Sequence, residues 1–492
     1  MGVTPPTDQT DTPLPHHPHG DTLELGDTHI QGVEIMVAQT TAEALRQSST
    51  RYLWMHNRDW IQMAEEGDPM IAVEGDGVRI VDSDGNSWID VNGGYNSVNV
   101  GYGRQEIADA AYEQMNRIAY FPNGTTTEPT ALLARKLAEI TPGTLSRVFP
   151  VSGGSEANET AIKIARAYHS RRGDKGRFKI ISRMGSYHGT TAGVVWLGGT
   201  PTTQRDDFEP AYPGMVYAPQ PLPYLSDETP SECAVRCAEA VEELIKFEGP
   251  ETVAAVIAEP VAMPLGAVVP GDEYWPMLRD ICDRYGVLLI ADEVINGFGR
   301  TGKMFAVEHW DVVPDIMSVA KGIISSYLPL AATIATEEVA GVFAGEEDYL
   351  RHVLTSSGHP VSAAASLKNI EIIESENMVE NAATVGAYFK EQVEGMIGDH
   401  PSIGDVRGIG LLVAIELVKD RLTKEPFAPE DRVADRLNES FKKNGLLLRV
   451  GGPIINMGPP LCITTSEVDE IVHALDLSLW EFEGEMGMGQ YA

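Results

Sequence analysis

The chain has 492 residues, 43% of them hydrophobic, which is enough for several buried cores at roughly 150 residues per domain. Thirty-seven basic against 72 acidic side chains leave a formal net charge of −35, which repels phosphate backbones and anionic lipid surfaces and argues against nucleic acid as a partner. There is no run of about 18 apolar residues, and the first twenty residues lack both a basic start and an apolar stretch, so neither a membrane span nor a secretory signal is expected.

Residues 1–30 are rich in Pro, Thr, Asp and His, with His16, His17 and His19 close together. They are expected to form a flexible arm, because neighbouring histidines without ordered geometry and further ligands do not make a metal site. Residues 71–91 alternate short apolar runs with Gly and Asp turns and read as antiparallel hairpins. Long helical segments then alternate with short apolar runs at residues 253–259, 287–292 and 316–320, the pattern of a parallel sheet covered by helices. From about Ser362 come long helices, then the Gly-punctuated, strand-like stretches 404–417 and 446–460, which predict a second, smaller domain.

Cys233, Cys237, Cys282 and Cys462 form neither a CxxC pair nor a disulfide framework, so a reducing cytoplasm is the expected compartment. Cys233 and Cys237, four apart in a helical stretch, read as two small apolar side chains on one face. The acidic surplus, spread over the whole chain, allows two readings: a protein working in high salt, or an ordinary acidic cytoplasmic enzyme.

In a parallel sheet ligands sit beyond the carboxyl ends of the strands, and here those ends carry polar clusters. Residues 152–155, two serines around two glycines before an Ala-rich helix, offer free N–H groups and a positive dipole end for phosphate. The same stretch also reads as a cap built from Ser155, Asn158 and Glu159. Tyr187, in the turn 185–190, either stacks on a planar ring or packs within its turn. Residues 287–303 are an apolar strand ending in Asp292 and Glu293, followed by a Gly-rich stretch whose 297–303 portion spells GxxxxGK. Met304 follows where a phosphate-binding P-loop needs a hydroxyl for magnesium, which leaves a nucleotide enzyme as a remote alternative. Lys321 stands alone at the end of an apolar strand, directly before Gly322. Such a lysine pairs, shifts its pKa or becomes covalently linked, unless it snorkels to the surface.

Taken in order, these pieces resemble the class III aminotransferases, fold type I pyridoxal 5′-phosphate (PLP) enzymes, and especially their omega-amino acid:pyruvate branch. The resemblance runs over residues 52–477 and is carried most specifically by residues 152–163, 258–261, 292–302, 314–322 and 355–360. It implies an α/β fold with a mostly parallel seven-stranded sheet in a large domain at 96–361. A smaller α+β domain would be formed by both chain ends, 31–95 and 362–492, behind the arm at 1–30.

The resemblance also assigns roles. Lys321 matches the lysine that forms a Schiff base with PLP and shuttles the proton, and Asp292 the carboxylate paired to the pyridine nitrogen. Gly154 and Ser155 match the phosphate cradle, Tyr187 and Val294 the two faces that sandwich the ring, while His188 and Glu259 fall in the same site. Thr355 matches a threonine that reaches the phosphate of a neighbouring subunit, so active sites shared across a homodimer or a higher oligomer are expected. Arg449 matches the arginine that pairs with a substrate carboxylate, with Trp54 and Tyr95 beside the substrate. The implied reaction is a ping-pong transfer of an amino group from an amine or omega-amino acid to a keto acid such as pyruvate. Another PLP reaction on the same fold (aminomutase, racemase or decarboxylating transaminase) is the alternative, and the complete 292–302 segment favours transamination. Departures at Gly153, Ser356, Asn96 and residues 262–265 leave the amine donor open.

Overall fold

The computed structural model describes residues 41–57, 59–66, 69–122, 124–198, 205–345 and 347–488. The arm at residues 1–30, with its three histidines, lies outside the described residues. The chain forms two compact units, residues 1–71 and 72–492. In the described part of the first, helix Ala42–Tyr52 starts at Thr41, whose hydroxyl accepts from the Ala44 amide at 3.2 Å. Helix Trp60–Glu66 follows, and the Trp54 and Trp60 rings meet edge to face at 5.5 Å.

The second unit contains three sheets. It opens with the antiparallel strands β1 (Ala72–Asp76), β2 (Arg79–Asp82) and β3 (Ser87–Asp90), the hairpins expected from the alternating pattern. Next in the chain come β4 (Leu145–Val151), β5 (Lys179–Arg183), β6 (Met215–Ala218), β7 (Val253–Ala258), β8 (Leu288–Asp292), β9 (Ile316–Val319) and β10 (Ala331–Thr336). These form one seven-stranded sheet in the order β4-β10-β9-β8-β7-β5-β6, parallel except for β10, which runs antiparallel to both its neighbours. The mostly parallel sheet implied by the resemblance is therefore present. A third sheet, β11-β12-β15-β14, follows from β11 (Ile403–Ile409), β12 (Leu412–Leu417), β14 (Arg449–Gly451) and β15 (Ile454–Met457).

Between them lies β13 (Leu446–Leu447), which pairs in parallel with β3, so a segment near the carboxyl end completes the sheet of the first three strands. The stretch 446–460, expected as one strand-like run, is thus divided between two sheets. Gly452 and Pro453 form the turn that folds β15 back on β14.

The central strands are buried on both faces because helices cover both. Along β8, Leu289 and Ala291 join the core beneath helices Pro230–Glu248 and Tyr274–Tyr285, while Leu288 and Ile290 join the core beneath helix Gly154–Arg171. The two-residue period of a strand makes this division. Cys233 and Cys237 are fully buried in the first of these cores, as small apolar side chains would be. Helix Pro230–Glu248 is started by a capping box between Thr229 and Glu232, and Thr464 with Glu467 does the same for helix Thr465–Glu485. No helix among the described residues is long and apolar enough to cross a membrane.

Candidate active site

Three neighbouring strands of the large sheet, β8, β7 and β5, end side by side, and each delivers a charged group to the same place. Asp292 is the last residue of β8, Glu259 directly follows β7, and Arg183 closes β5 four residues before Tyr187 and five before His188. Asp292 is 3% exposed and held at both oxygens. Its Oδ2 accepts from Asn158 Nδ2 and His188 Nδ1, each at 2.7 Å, and its Oδ1 accepts from the Val294 amide at 3.0 Å. A carboxylate accepts but does not donate, so His188 carries its proton on Nδ1 and the Asp292 charge is fixed in orientation.

These groups lie on one open cavity of ≈ 250 Å³. Its wall includes Gly154, Ser155, Tyr187, His188, Glu259, Asp292, Val294 and Lys321. Eight sequence-predicted residues are thereby brought together.

Helix Gly154–Arg171 begins at this cavity, and its N-cap residue, Gly153, contributes no side-chain cap. The capping alternative fails because the three side chains are turned elsewhere. Asn158 bonds to Asp292 and to the His188 carbonyl, Glu159 accepts from Thr191 Oγ1 and the Gly193 amide, and Ser155 Oγ accepts from the Thr190 amide at 3.1 Å. The first-turn amides keep their capacity to hold an anion. Backbone approaches closely here: a Cβ on Gly154 would sit 2.9 Å from Val294 Cγ1, and one on Gly189 would sit 2.5 Å from Ser155 Oγ. Only glycine leaves this cradle open.

Lys321 opens a short 3₁₀ turn, Lys321–Ile323, just beyond β9. Its φ is +48°, a left-handed conformation that costs a lysine of order 1 kcal/mol or more and persists only where its surroundings enforce it. They do so here: Asn369 Nδ2 donates to the Gly322 carbonyl at 2.9 Å, Ser366 Oγ donates to the Ile323 carbonyl at 2.8 Å, and a Cβ on Gly322 would meet Asn99 Nδ2 at 2.4 Å. The amine donates to the Tyr95 carbonyl at 2.9 Å. Burial, opposed by the nearby Asp292 carboxylate, pushes the ammonium down to about 8.

The residues fit PLP. An uncapped helix start beside Ser155 suits a phosphate, a buried anionic carboxylate suits a protonated ring nitrogen, Tyr187 and Val294 offer two ring faces, and a lysine of lowered pKa suits a covalent link to an aldehyde.

Arg449, Tyr95 and Thr355 are not among the residues that form that wall. Arg449, on the edge strand β14, places its guanidinium 5.3 Å from the Tyr95 ring centroid, so the two residues expected beside the substrate are neighbours. Tyr95 is 62% exposed. Thr355 is exposed, and its carbonyl accepts from the Tyr120 hydroxyl at 2.8 Å. Trp54 belongs to the first compact unit. Residues 297–303 form successive turns with no following α-helix start, so the P-loop outline lacks the strand–loop–helix setting that cradles a nucleotide.

Sequence reasoning missed Arg183 and Asn296 and treated Asn158 only as a cap. Arg183 sits four residues before Tyr187, and a basic residue at the end of a buried strand was the available signal. Asn296 lines the cavity fully buried, with neither amide atom paired among the described residues.

The family described as Aminotransferase class-III matches residues 62–479. The chain is 39% identical over 453 residues to a taurine–pyruvate aminotransferase of Bilophila wadsworthia, covering 89% of this chain and 97% of that one. It is 38% identical over 390 residues to a putrescine–pyruvate aminotransferase of Pseudomonas aeruginosa, covering 78% and 84%. Among solved structures, a thermostable (S)-enantioselective omega-transaminase from Thermomicrobium roseum superposes with a TM-score of 0.88 at 38% identity, over 90% of this chain and 99% of that one.

Proposed function

Because the chain belongs to the class-III aminotransferases, PLP-dependent enzymes of fold type I that pass an amino group to a keto acid, we propose that it is an amine:pyruvate transaminase with Lys321 as its catalytic lysine. The observation that carries this reading is a lysine of lowered pKa at the same cavity as a doubly anchored carboxylate and an uncapped helix start.

When bound, PLP supplies an electrophilic carbonyl for the amine and an electron sink for the charge left when a proton departs. The chain supplies the rest. Gly154 and Ser155 bind the phosphate, Tyr187 and Val294 hold the ring between them, and Asp292 keeps the ring nitrogen protonated. The Lys321 amine would hold the proton that leaves the substrate carbon and hand it back on the far side of the nitrogen, two atoms further on. Arg449 would pair with a substrate carboxylate and swing away for uncharged side groups. The two named relatives act on a sulfonate-bearing amine and on a diamine. A pocket related to both takes primary amines on flexible chains as donors.

The same proposal includes a homodimer in the cytoplasm. Tyr112, Met115, Ile118, Tyr120 and Phe121, close in sequence, are exposed at 70, 56, 41, 39 and 48%, and the Tyr120 hydroxyl donates to the Thr355 carbonyl. Covering these residues with a second copy would bring Thr355 toward the other copy's phosphate cradle. Residues 31–95 and 362–492 would then flank the large domain at 96–361 as the smaller one.

The first test is the absorption spectrum of the protein with PLP, before and after a donor amine, beside Lys321→Ala. A band near 400–420 nm that requires Lys321 and fades toward about 330 nm with amine is expected. A band indifferent to Lys321, or none, refutes the reading. A panel of taurine, putrescine and aralkyl amines with pyruvate then identifies the donor, and parallel initial-rate lines accompany a ping-pong order.

A further inference from the structure

At the ring-binding wall, Glu259 is paired with Arg183, and neither is used by the proposed reaction itself. Arg183 Nη2 donates to Glu259 twice, to the carboxylate Oε2 at 2.8 Å and to the backbone carbonyl at 2.6 Å. The two side chains are 2% and 5% exposed. Arg183 also lies 5.8 Å from the ring centroid of the fully buried Tyr274. Desolvating such a pair costs several kcal/mol per ion, and well-packed apolar residues in its place are often as stable. Stability alone therefore does not explain its presence.

What Glu259 touches does. Its Oε1 accepts from the Tyr187 amide at 2.9 Å, so the carboxylate holds the backbone of the residue whose ring faces the cavity. Its Oε2 lies 3.8 Å from Nε2 of His188, and that nitrogen is buried without a hydrogen-bond partner among the described residues. Through Nδ1 the same imidazole orients Asp292 at 2.7 Å. Arg183, Glu259, His188 and Asp292 thus form one buried line across the ends of β5, β7 and β8. Burial works against the Glu259 charge, and His188 and Arg183 together overcome it, holding the carboxyl below its usual range.

We propose that Arg183 and Glu259 are positioning residues: one buried ion pair fixes both the Tyr187 face that stacks on the bound ring and the His188 imidazole that aims Asp292 at the ring nitrogen. This rests on the transaminase reading above. Loss of the pair lets ring and carboxylate drift together, so its effect falls on how PLP is held before any amine is added.

Three variants test this on apoprotein titrated with PLP, read by affinity and by the visible circular dichroism of the bound chromophore. Glu259→Gln keeps the shape and removes the charge, and PLP affinity is expected to fall about tenfold with a weakened dichroic band, the scale of one lost buried contact. Glu259→Asp keeps the charge and should recover part of both. Arg183→Met/Glu259→Met removes the pair as a unit with an apolar filling that preserves folding, and should still lose affinity and dichroism. Wild-type affinity and an unchanged dichroic band in Glu259→Gln and the double variant would reduce the pair to packing and overturn the proposal. If the double variant does not fold, Glu259→Gln decides alone. A wild-type protein that shows no Lys321-dependent band would instead refute the transaminase reading, an outcome visible before any Glu259 variant is compared.

Discussion

At the scale of single residues, two adjacent carboxyl groups at the end of β8 have opposite fates. Asp292 points to the cavity and is anchored by Asn158, His188 and the Val294 amide. Glu293, one residue on, points to the opposite side, into the core. It is 0% exposed, its Oε1 accepts from the Val307 amide at 2.8 Å, and its Oε2 has no partner among the described residues. Burial pushes its carboxyl up to about 8 from 4.5. An unfolded glutamate releases its proton near pH 4.5 while the folded one keeps it until about pH 8, so stability falls with rising pH across that window and levels beyond it. Glu293→Gln cannot ionise. Its unfolding free energy should match wild type near pH 4.5 and exceed it increasingly toward pH 8, by up to a few kcal/mol at roughly 1.4 kcal/mol per unit; a constant gap across that range, measured by urea unfolding, would show that Glu293 is ionised in the fold. The sequence displayed both carboxylates, and strand alternation alone says they face opposite ways. It could not show which face met the cavity, because that depends on where helix Gly154–Arg171 lies.

Among secondary-structure elements, what was legible is what local pattern controls. The apolar runs of β7, β8 and β9 and the polar groups at their ends stood out because a parallel strand buried on both faces has nowhere to place a charge except its ends. The antiparallel insertion of β10 between β4 and β9, and the two-residue β13 beside β3, were not legible. Pairings such as Ala331 with Val151 and Leu446 with Ile89 join residues far apart in the chain and leave no local period to read. The same limit hid a buried cluster under the last helix. His400, 0% exposed, bonds through Nδ1 to Glu483 and through Nε2 to Asp476, each at 3.0 Å, and Glu483 also accepts from the Ser402 amide and hydroxyl. Helix Thr465–Glu485 is thereby fastened to the start of β11. Burial alone would lower the imidazole pKa, but the bonds to Glu483 and Asp476 outweigh it and raise the value above 6.5. The bonded charge therefore contributes fully below pH 6.5 and is lost as pH rises through the raised value. His400→Ala leaves Glu483 buried without its cation and should destabilise the fold by about 3–5 kcal/mol at pH 6. The gap to wild type should narrow at pH 9. A gap equal at both pH values, measured by urea unfolding, would mean that the cluster is neutral.

For the whole molecule, the net charge of −35 opposes both compaction and association, since two copies brought together would confront 70 negative charges, twice 35. Many exposed acids are already engaged in surface ion pairs such as Arg79–Glu470, Arg117–Glu128 and Arg436–Glu485, each worth roughly 0–1 kcal/mol, so the surplus remains to repel. Against that repulsion stand the exposed apolar side chains Tyr112, Met115 and Phe121, whose burial is worth about 25 cal/mol per Å² irrespective of charge. Salt weakens only the first of these. The Debye length is about 10 Å at 0.1 M and about 3 Å at 1 M, so repulsion across an interface is largely screened by a few tenths molar. An ordinary acidic enzyme should accordingly gain melting temperature and dimer fraction up to roughly 0.3 M KCl and then plateau, whereas a protein suited to high salt should keep gaining to molar concentrations. Sedimentation velocity and thermal unfolding along one KCl series separate the two. Stability that is flat or falling from low to molar salt would remove the high-salt reading, and a monomer at every concentration of salt would remove the dimer. If the proposed dimer forms through these residues, Ile118→Glu, adding charge among them, should shift it toward monomer at all salt concentrations, and PLP retention should weaken with it if Thr355 serves the neighbouring copy as proposed.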